Sequence, residues 1–263
     1  MKPVVVEGLG LHAGAHGRVE LRASDDRARA TTLNGAALDE WRAVKAERAT
    51  AIVHGERRAR TVEHLFAAMA ALGLRRGVEV TLDGEEAPIL DGCAAAWMDA
   101  LGELEVDATP ATIAVVRDDV IDVGTSRYSF ARGDATRVSV AIELGDARIA
   151  PEASWSGDAR DFRERIATAR TFCFAHEVEA LARAGLASHV TPEMVVVIGP
   201  EILAAGRPFE ADEPARHKLL DLVGDLFLYG GAPRGSVHAY RPGHWSSHEA
   251  MRIAIARGVV ARA

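Results

Sequence analysis

Lysine is almost missing from this chain of 263 residues: Lys2, Lys45 and Lys218 stand against 28 arginines. So strong a bias reflects the base composition of the genome, and a lysine kept inside a motif carries extra weight. Cysteine is as scarce. Cys93 and Cys173 cannot build a disulfide framework or a four-thiolate zinc site, and the cytoplasm is the expected location. No stretch approaches the roughly 20 apolar residues that span a bilayer. Val4 to Val6 is too short for the apolar core of a secretion signal, so no stable membrane insertion is expected. A basic excess is missing too. The formal charge is −7, whereas a general nucleic-acid binder carries surplus cations to neutralise phosphates; no nucleic-acid partner is expected. With 48% hydrophobic and 26% charged residues, the composition excludes a disordered chain, a fibre and a coiled coil. The dinucleotide fingerprint, the Walker A loop, the GxSxG elbow and the HExxH helix are all absent.

What is there is an α+β pattern that occurs twice. Val4 to Val6 and Val19 to Leu21 read as short strands around the glycine-rich turn Gly8 to Gly14, and Ala51 to Val53 as another. The run TVEHLFAAMAALG reads as a helix with Thr61 as N-cap, an apolar face of Val62, Leu65, Met69 and Leu72, and Gly73 as its stop. A half-buried strand (Gly77 to Leu82), an acidic loop (Glu85 to Gly92) and a second helix (Cys93 to Leu104) complete the first half. Asp107 to Pro110 reads as a linker, giving domains 1–107 and 111–263. Strands are then expected at Ile113 to Val116, Tyr128 to Ala131 and Val138 to Ile142, with helices from Ala159 and over Glu177 to Ala184. A buried strand (Met194 to Ile198), a strongly amphipathic helix (Ala215 to Gly230), a strand (Ser236 to Tyr240) and a last helix after His244 follow. Both halves thus end alike, in a helix with a histidine near its start, a glycine stop, a strand, a turn and a helix. An internal duplication of one α+β unit is the expected architecture.

Several polar clusters could do chemistry. Glu63 and His64 adjoin at a helix start, about 100° apart on the wheel, so both can border one site. One could hold a metal ion while the other takes a proton from its water; a solvated glutamate beside a capping histidine is the alternative. His217, Asp221 and Asp225 follow i, i+4, i+8 and share a helix face. Imidazole plus carboxylate at this spacing supplies two ligands of a zinc site, with a third from elsewhere and a fourth position for water. The alternative is a polar stripe opposite Leu219, Leu222, Val223 and Leu226. Lys218 is the one lysine of the second half. His244 in the turn RPGH, and the hydroxyl and cation of Arg170-Thr171-Phe172, say little by themselves.

Taken in order, GLGLHAG (8–14), TVEHL (61–65), APILDG (87–92), ARTF (169–172), RHKLLDLVGDL (216–226) and Gly243-His244 resemble the zinc-dependent UDP-3-O-acyl-N-acetylglucosamine deacetylases of lipid A biosynthesis. The motifs cover nearly the whole chain. The resemblance implies two similar α+β domains, each a small sheet with helices, the helices packed between the two sheets. It implies His64, His217 and Asp221 as metal ligands for Zn2+, with Fe2+ as the other candidate ion. It implies Glu63 as general base, His244 as the group that stabilises the oxyanion and protonates the leaving amine, Asp225 as its orienting carboxylate, and Thr171 as a second oxyanion contact. Phe172 and Lys218 match positions that touch the substrate, an acylated UDP-sugar. A monomer is expected. The pattern departs from the family in three places. Ala23 to Ala37 is short and lacks a longer strand-forming insert, Ala187 to Pro192 replaces a Gly-Gly-Ser turn, and Pro214-Ala215 replaces an aromatic–aliphatic pair. These segments border the acyl and sugar pockets in the family, so a different acylated sugar is the alternative substrate. A metal-binding homologue without turnover is the alternative of another class, and the presence of Glu63 and His244 argues against it.

Overall fold

The computed structural model describes residues 2–183 and 189–262. The first half consists of β1 (Val4–Leu9), β2 (His16–Ala23), β3 (Thr32–Leu33), β4 (Ala36–Ala37), β5 (Arg42–Val44), β6 (Ala51–His54), β7 (Arg57–Arg60), α1 (Glu63–Ala71), β8 (Val78–Asp83) and α2 (Ala95–Gly102). The second contains β9 (Ile113–Val115), β10 (Asp119–Val123), β11 (Ser126–Ala131), β12 (Thr136–Ala141), β13 (Glu152–Trp155), α3 (Ala159–Asp161), β14 (Phe172–Phe174), α4 (Ala175–Arg183), β15 (Val196–Ile198), β16 (Ile202–Leu203), α5 (Glu213–Phe227), β17 (Gly235–Tyr240), α6 (His244–Ala256) and β18 (Val260–Arg262).

The duplication is written in the sheets. One runs β1-β2-β8-β3-β4 and the other β10-β11-β17-β12-β13. Reading across each, the pairings are antiparallel, antiparallel, parallel, antiparallel. Register places apolar side chains opposite one another: Val19 meets Leu82 and Leu21 meets Val80 in the first sheet, Phe130 meets Val237 and Val138 meets Val237 in the second. With side chains alternating between faces, these residues line one buried face of each sheet. α1, α2, α5 and α6 lie between the two faces, and their core residues form one connected cluster with those of both sheets. α1 packs along α5, α5 covers β12 and β13, and α6 covers β10 and β11.

Every residue of α1 is buried, whereas its sequence pattern predicts one apolar face. A helix apolar all round belongs inside a core, and the alanines at 67, 68, 70 and 71 form the thin side that lets α5 come close. α5 supplies the matching feature. A Cβ on Gly224 would collide with the Glu63 carbonyl oxygen, so glycine there sets the closeness of the two helices.

Other boundaries differ from expectation. Thr61 is not the N-cap: it sits at φ +56°, the helix begins at Glu63, and the Thr61 hydroxyl donates to Glu86 Oε1 at 2.8 Å. Glu86 also accepts the backbone N–H groups of His12 and Ala13, both at 2.9 Å. Burial works against this carboxylate, but the three hydrogen bonds outweigh it and lower its pKa. The acidic loop therefore pins the glycine-rich turn to the start of α1. The second helix is shorter than expected, and the helix from Ala159 turns into a π-helical segment at Phe162–Ile166. Residues 42–60, where one strand is expected, form a three-stranded sheet, β5-β6-β7. The first half thus carries a strand-forming insert after all, beyond the Ala23 to Ala37 region. In the second half, β14-β15-β16 with α4 is its counterpart. Both inserts fall between the fourth main strand and the first long helix of their repeat, so both end beside a helix N-terminus. Ala184, Ala187 and Ser188 of the expected segments lie outside the described residues.

Candidate metal centre and catalytic groups

Three helices converge. Glu63 and His64 open α1, His217 is in the second turn of α5 with Asp221 and Asp225 one and two turns on, and His244 opens α6. Each start is secured locally. Pro214 stands in the first turn of α5, where its fixed φ suits helix entry and its missing N–H costs nothing. Glu213, fully buried, takes a two-pronged contact from Arg170 at 2.8 and 3.0 Å and a further bond from Arg207 at 2.8 Å. This network fixes the chain at 169–172 against α5, so Arg170 is a structural cation. It places the Ala169 carbonyl to accept from His217 Nδ1 at 3.1 Å. That bond assigns the proton to Nδ1 and leaves Nε2 bare for a ligand.

His64, His217 and Asp221 are all buried, and one potential ligand atom from each lies within 4.8 Å of the others. Asp221 Oδ1 is 3.4 Å from His217 Nε2 and 3.7 Å from His64 Nε2. The two rings stand edge to face, 5.1 Å apart. Burial pushes His64 down to about 3, and burial also lowers His217. Both are neutral imidazoles at neutral pH. Burial disfavours the Asp221 carboxylate, but the neighbouring cations, Lys218 foremost, outweigh it and hold its pKa far below the usual range. Lys218 Nζ bonds Asp221 Oδ2 at 2.8 Å, yet Asp221 Oδ1 is buried without any hydrogen-bond partner. A buried, unpaired carboxylate oxygen facing two neutral imidazole nitrogens is costly by itself. The residues fit a divalent ion: two histidines and one carboxylate with an open position suit Zn2+ or Fe2+.

Beside this group stands an acid–base pair. Burial pushes Glu63 up to about 7, with His244 opposing the shift. For His244, burial favours the neutral ring, but Asp225, Asp221 and Glu63 outweigh it and raise its pKa to about 9. His244 Nδ1 donates to Asp225, 3.2 Å from both carboxylate oxygens. Its Nε2 lies 3.8 Å from Glu63 Oε1 and 3.8 Å from Asp221 Oδ2. Phe172 sets its ring against His217, centroids 6.1 Å apart. Thr171 is held by its backbone, its N–H donating to the Gly92 carbonyl at 2.7 Å and its carbonyl accepting from Val196 at 2.9 Å. A Cβ on Gly92, at φ +76°, would collide with the Met194 carbonyl and crowd the Thr171 methyl. Glu63, His64, Phe172, His217, Lys218, Asp221, Asp225 and His244 are thus brought together, whereas Thr171 is placed beside Gly92 and Val196 and only adjoins Phe172 in the chain.

Three polar residues escape a sequence reading. Thr50, from the insert of the first half, donates its backbone N–H to Glu63 Oε2 at 3.1 Å and its hydroxyl to Asp225 Oδ1. His248 and Tyr229 stand behind Asp225, His248 Nε2 being 3.5 Å from Asp225 Oδ1 and its Nδ1 3.2 Å from the Tyr229 hydroxyl. The i, i+4 spacing of His244 and His248 was the one available signal; Thr50 offered none.

Paired α+β repeats, a buried His-His-Asp group and an adjoining carboxylate and imidazole define the class as a hydrolase with a candidate metal centre. The comparison with known proteins is specific within that class. The LpxC family, UDP-3-O-acyl N-acetylglycosamine deacetylase, matches residues 1–256, and the chain belongs to that family. A UDP-3-O-acyl-N-acetylglucosamine deacetylase of Brucella melitensis biotype 2 is 33% identical over 269 residues, covering 95% of this chain and 92% of the relative. Its namesake in Brucella ovis is 38% identical over 211 residues, 75% of this chain and 72% of the relative. No described helix is long and apolar enough to cross a membrane.

Proposed function

We propose that this protein hydrolyses the N-acetyl amide of UDP-3-O-(hydroxyacyl)-N-acetylglucosamine in the cytoplasm, releasing acetate for lipid A biosynthesis. Family membership supports the substrate. The observation that carries the chemistry is the unpaired Asp221 oxygen between His64 and His217, with Glu63 and His244 beside it. We divide the chain into domains 1–107 and 111–263, a division supported by the matching strand orders. In this reading His64, His217 and Asp221 hold the ion, which we take to be Zn2+. When bound it supplies a water of lowered pKa and Lewis acidity towards the amide oxygen.

The chain's own groups do the rest. Glu63, desolvated and therefore basic for a carboxylate, takes the proton of the attacking water. His244 is kept protonated by Asp225 and its other acidic neighbours, so its Nε2–H can face the developing oxyanion and then protonate the leaving nitrogen. Thr171 would add a hydroxyl donor to the oxyanion, and preorganised donors of this kind are worth several kcal/mol (roughly 2.7–4 for one donor). Phe172 and Lys218 would contact the sugar nucleotide. Purified protein incubated with UDP-3-O-acyl-N-acetylglucosamine should release one acetate per free amine formed; no acetate would refute the assignment.

A further inference from the structure

We propose that Thr50 is a positioning residue that aligns the base and the acid of this site from a single side chain and backbone unit. The inference rests on the roles given above to Glu63, His244 and Asp225. Thr50 lies just ahead of β6, 1% exposed, and every polar group it owns is in use. Its carbonyl accepts the Thr61 N–H at 2.9 Å, fixing the chain two residues before α1. Its N–H holds Glu63 Oε2, so the other oxygen, Oε1, is the one facing His244. Its hydroxyl donates to Asp225 Oδ1 and lies 3.2 Å from His244 Nδ1 and 3.5 Å from His248 Nε2.

The physical consequence follows from how few constraints a carboxylate imposes. Asp225 alone could rotate about its last torsion, which is broad and nearly two-fold, and His244 would turn with it. A hydroxyl donor on Oδ1 removes that freedom, and a hydrogen bond to a buried carboxylate is among the strong ones. Threonine suits the task because its branched Cβ restricts χ1. Three segments remote in sequence, at 61–63, 225 and 244, are thereby referred to one residue. The 3.8 Å separation of Glu63 Oε1 and His244 Nε2 is then set by Thr50 and not by the two catalytic groups. Buried and bonded to Glu63 and Asp225, the residue acts through those two groups.

The test is a mutant cycle with zinc-loaded protein. Thr50→Val keeps the shape, the N–H and the carbonyl and removes only the hydroxyl. It should lower kcat by about 10–10² while KM and metal content stay within about twofold, because small misplacements of catalytic groups cost rate at that scale. Thr50→Ser should restore most of the loss. Added to Asp225→Asn, Thr50→Val should cost less than about threefold more, since both act on one unit. A Thr50→Val protein with wild-type kcat, a loss confined to KM or metal, failure of serine to rescue, or full additivity with Asp225→Asn would each overturn the proposal. If Thr50→Val does not fold, Thr50→Ala takes its place in the cycle. A readout independent of substrate is the imidazole 15N spectrum, in which Thr50→Val should move the His244 signals and leave those of His64 and His217. Unmoved His244 signals would overturn the alignment itself, whereas a wild-type protein that releases no acetate would overturn the functional reading.

Discussion

At the residue scale, each titratable group of the site is tuned by a named neighbour. His217 is oriented by the Ala169 carbonyl, His244 by Asp225, and Glu63 by desolvation and the Thr50 N–H. In the proposed reading, removing a ligand differs from removing the base. His217→Ala takes away one of three donors and leaves Asp221 Oδ1 still unpaired, so the purified variant should contain well under one equivalent of metal by elemental analysis. Full metal content in that variant would exclude His217 as a ligand. Most of these residues were legible from sequence, because a histidine and carboxylates at helical spacing share a face wherever the helix sits. What spacing could not convey was convergence. That the first turns of α1 and α6 meet the inner turns of α5 depends on long-range packing, and Thr50, with no neighbour in a recognisable motif, becomes part of the site only through contacts 13, 175 and 194 residues away in the chain.

At the scale of elements, closeness of α1 and α5 decides whether those side chains meet. Gly224→Ala would drive a methyl group into the Glu63 carbonyl. Overpacking of this kind costs about 1–3 kcal/mol, and here it also separates His64 from His217 and Asp221. Urea denaturation should show the loss and metal analysis a weakened site; wild-type stability would mean that the helices have slack. The start of α5 carries a second load in Glu213. Burial disfavours its carboxylate, but Arg170 and Arg207 outweigh it, and its folded pKa lies below the ordinary glutamate value of 4.5. Because the folded value is depressed, this ion pair contributes its stability above about pH 4.5 and loses it as pH falls through the folded value. Glu213→Gln removes the charge that faces buried Arg170 and should cost about 3–5 kcal/mol near neutral pH. In thermal melts the gap between wild type and variant should narrow below about pH 4; a constant gap would show that the pair contributes no charge-dependent stability. Most helices and several long strands could be read from periodicity, but β10 and β13 were not expected, and β3, β4 and β16 could not be read. Two-residue strands carry no period, and only pairing with a neighbour makes them strands.

At the scale of the whole molecule, the fold is one unit used twice, with an insert at the same point of each copy. The repeated strand order was foreshadowed by the shared helix–strand–helix endings, and the inserts only in part: β6, α4 and β15 were expected, whereas β5 and β7, three and four residues long and rich in arginine, and the short β14 and β16 were not. The candidate metal ligands come from both copies, His64 from α1 and His217 with Asp221 from α5, so an ion would tie the halves together. Ligand binding stabilises the native state by about 4 kcal/mol at a thousandfold excess over Kd. Stripping the metal should therefore lower the melting temperature on the order of 10 °C, and zinc should restore it. An unchanged melting curve after chelation would place the ion elsewhere. The central claim is that Glu63 moves a proton while its neighbour His64 holds an ion. It is tested most directly by assaying acetate release and zinc content together in wild type and Glu63→Gln. Glutamine keeps the size and the hydrogen bond but not the basicity, so the variant should retain about one equivalent of zinc and lose at least about 10² in turnover. A zinc-free variant would make Glu63 a ligand or a structural residue, and a fully active one would contradict its role as the base.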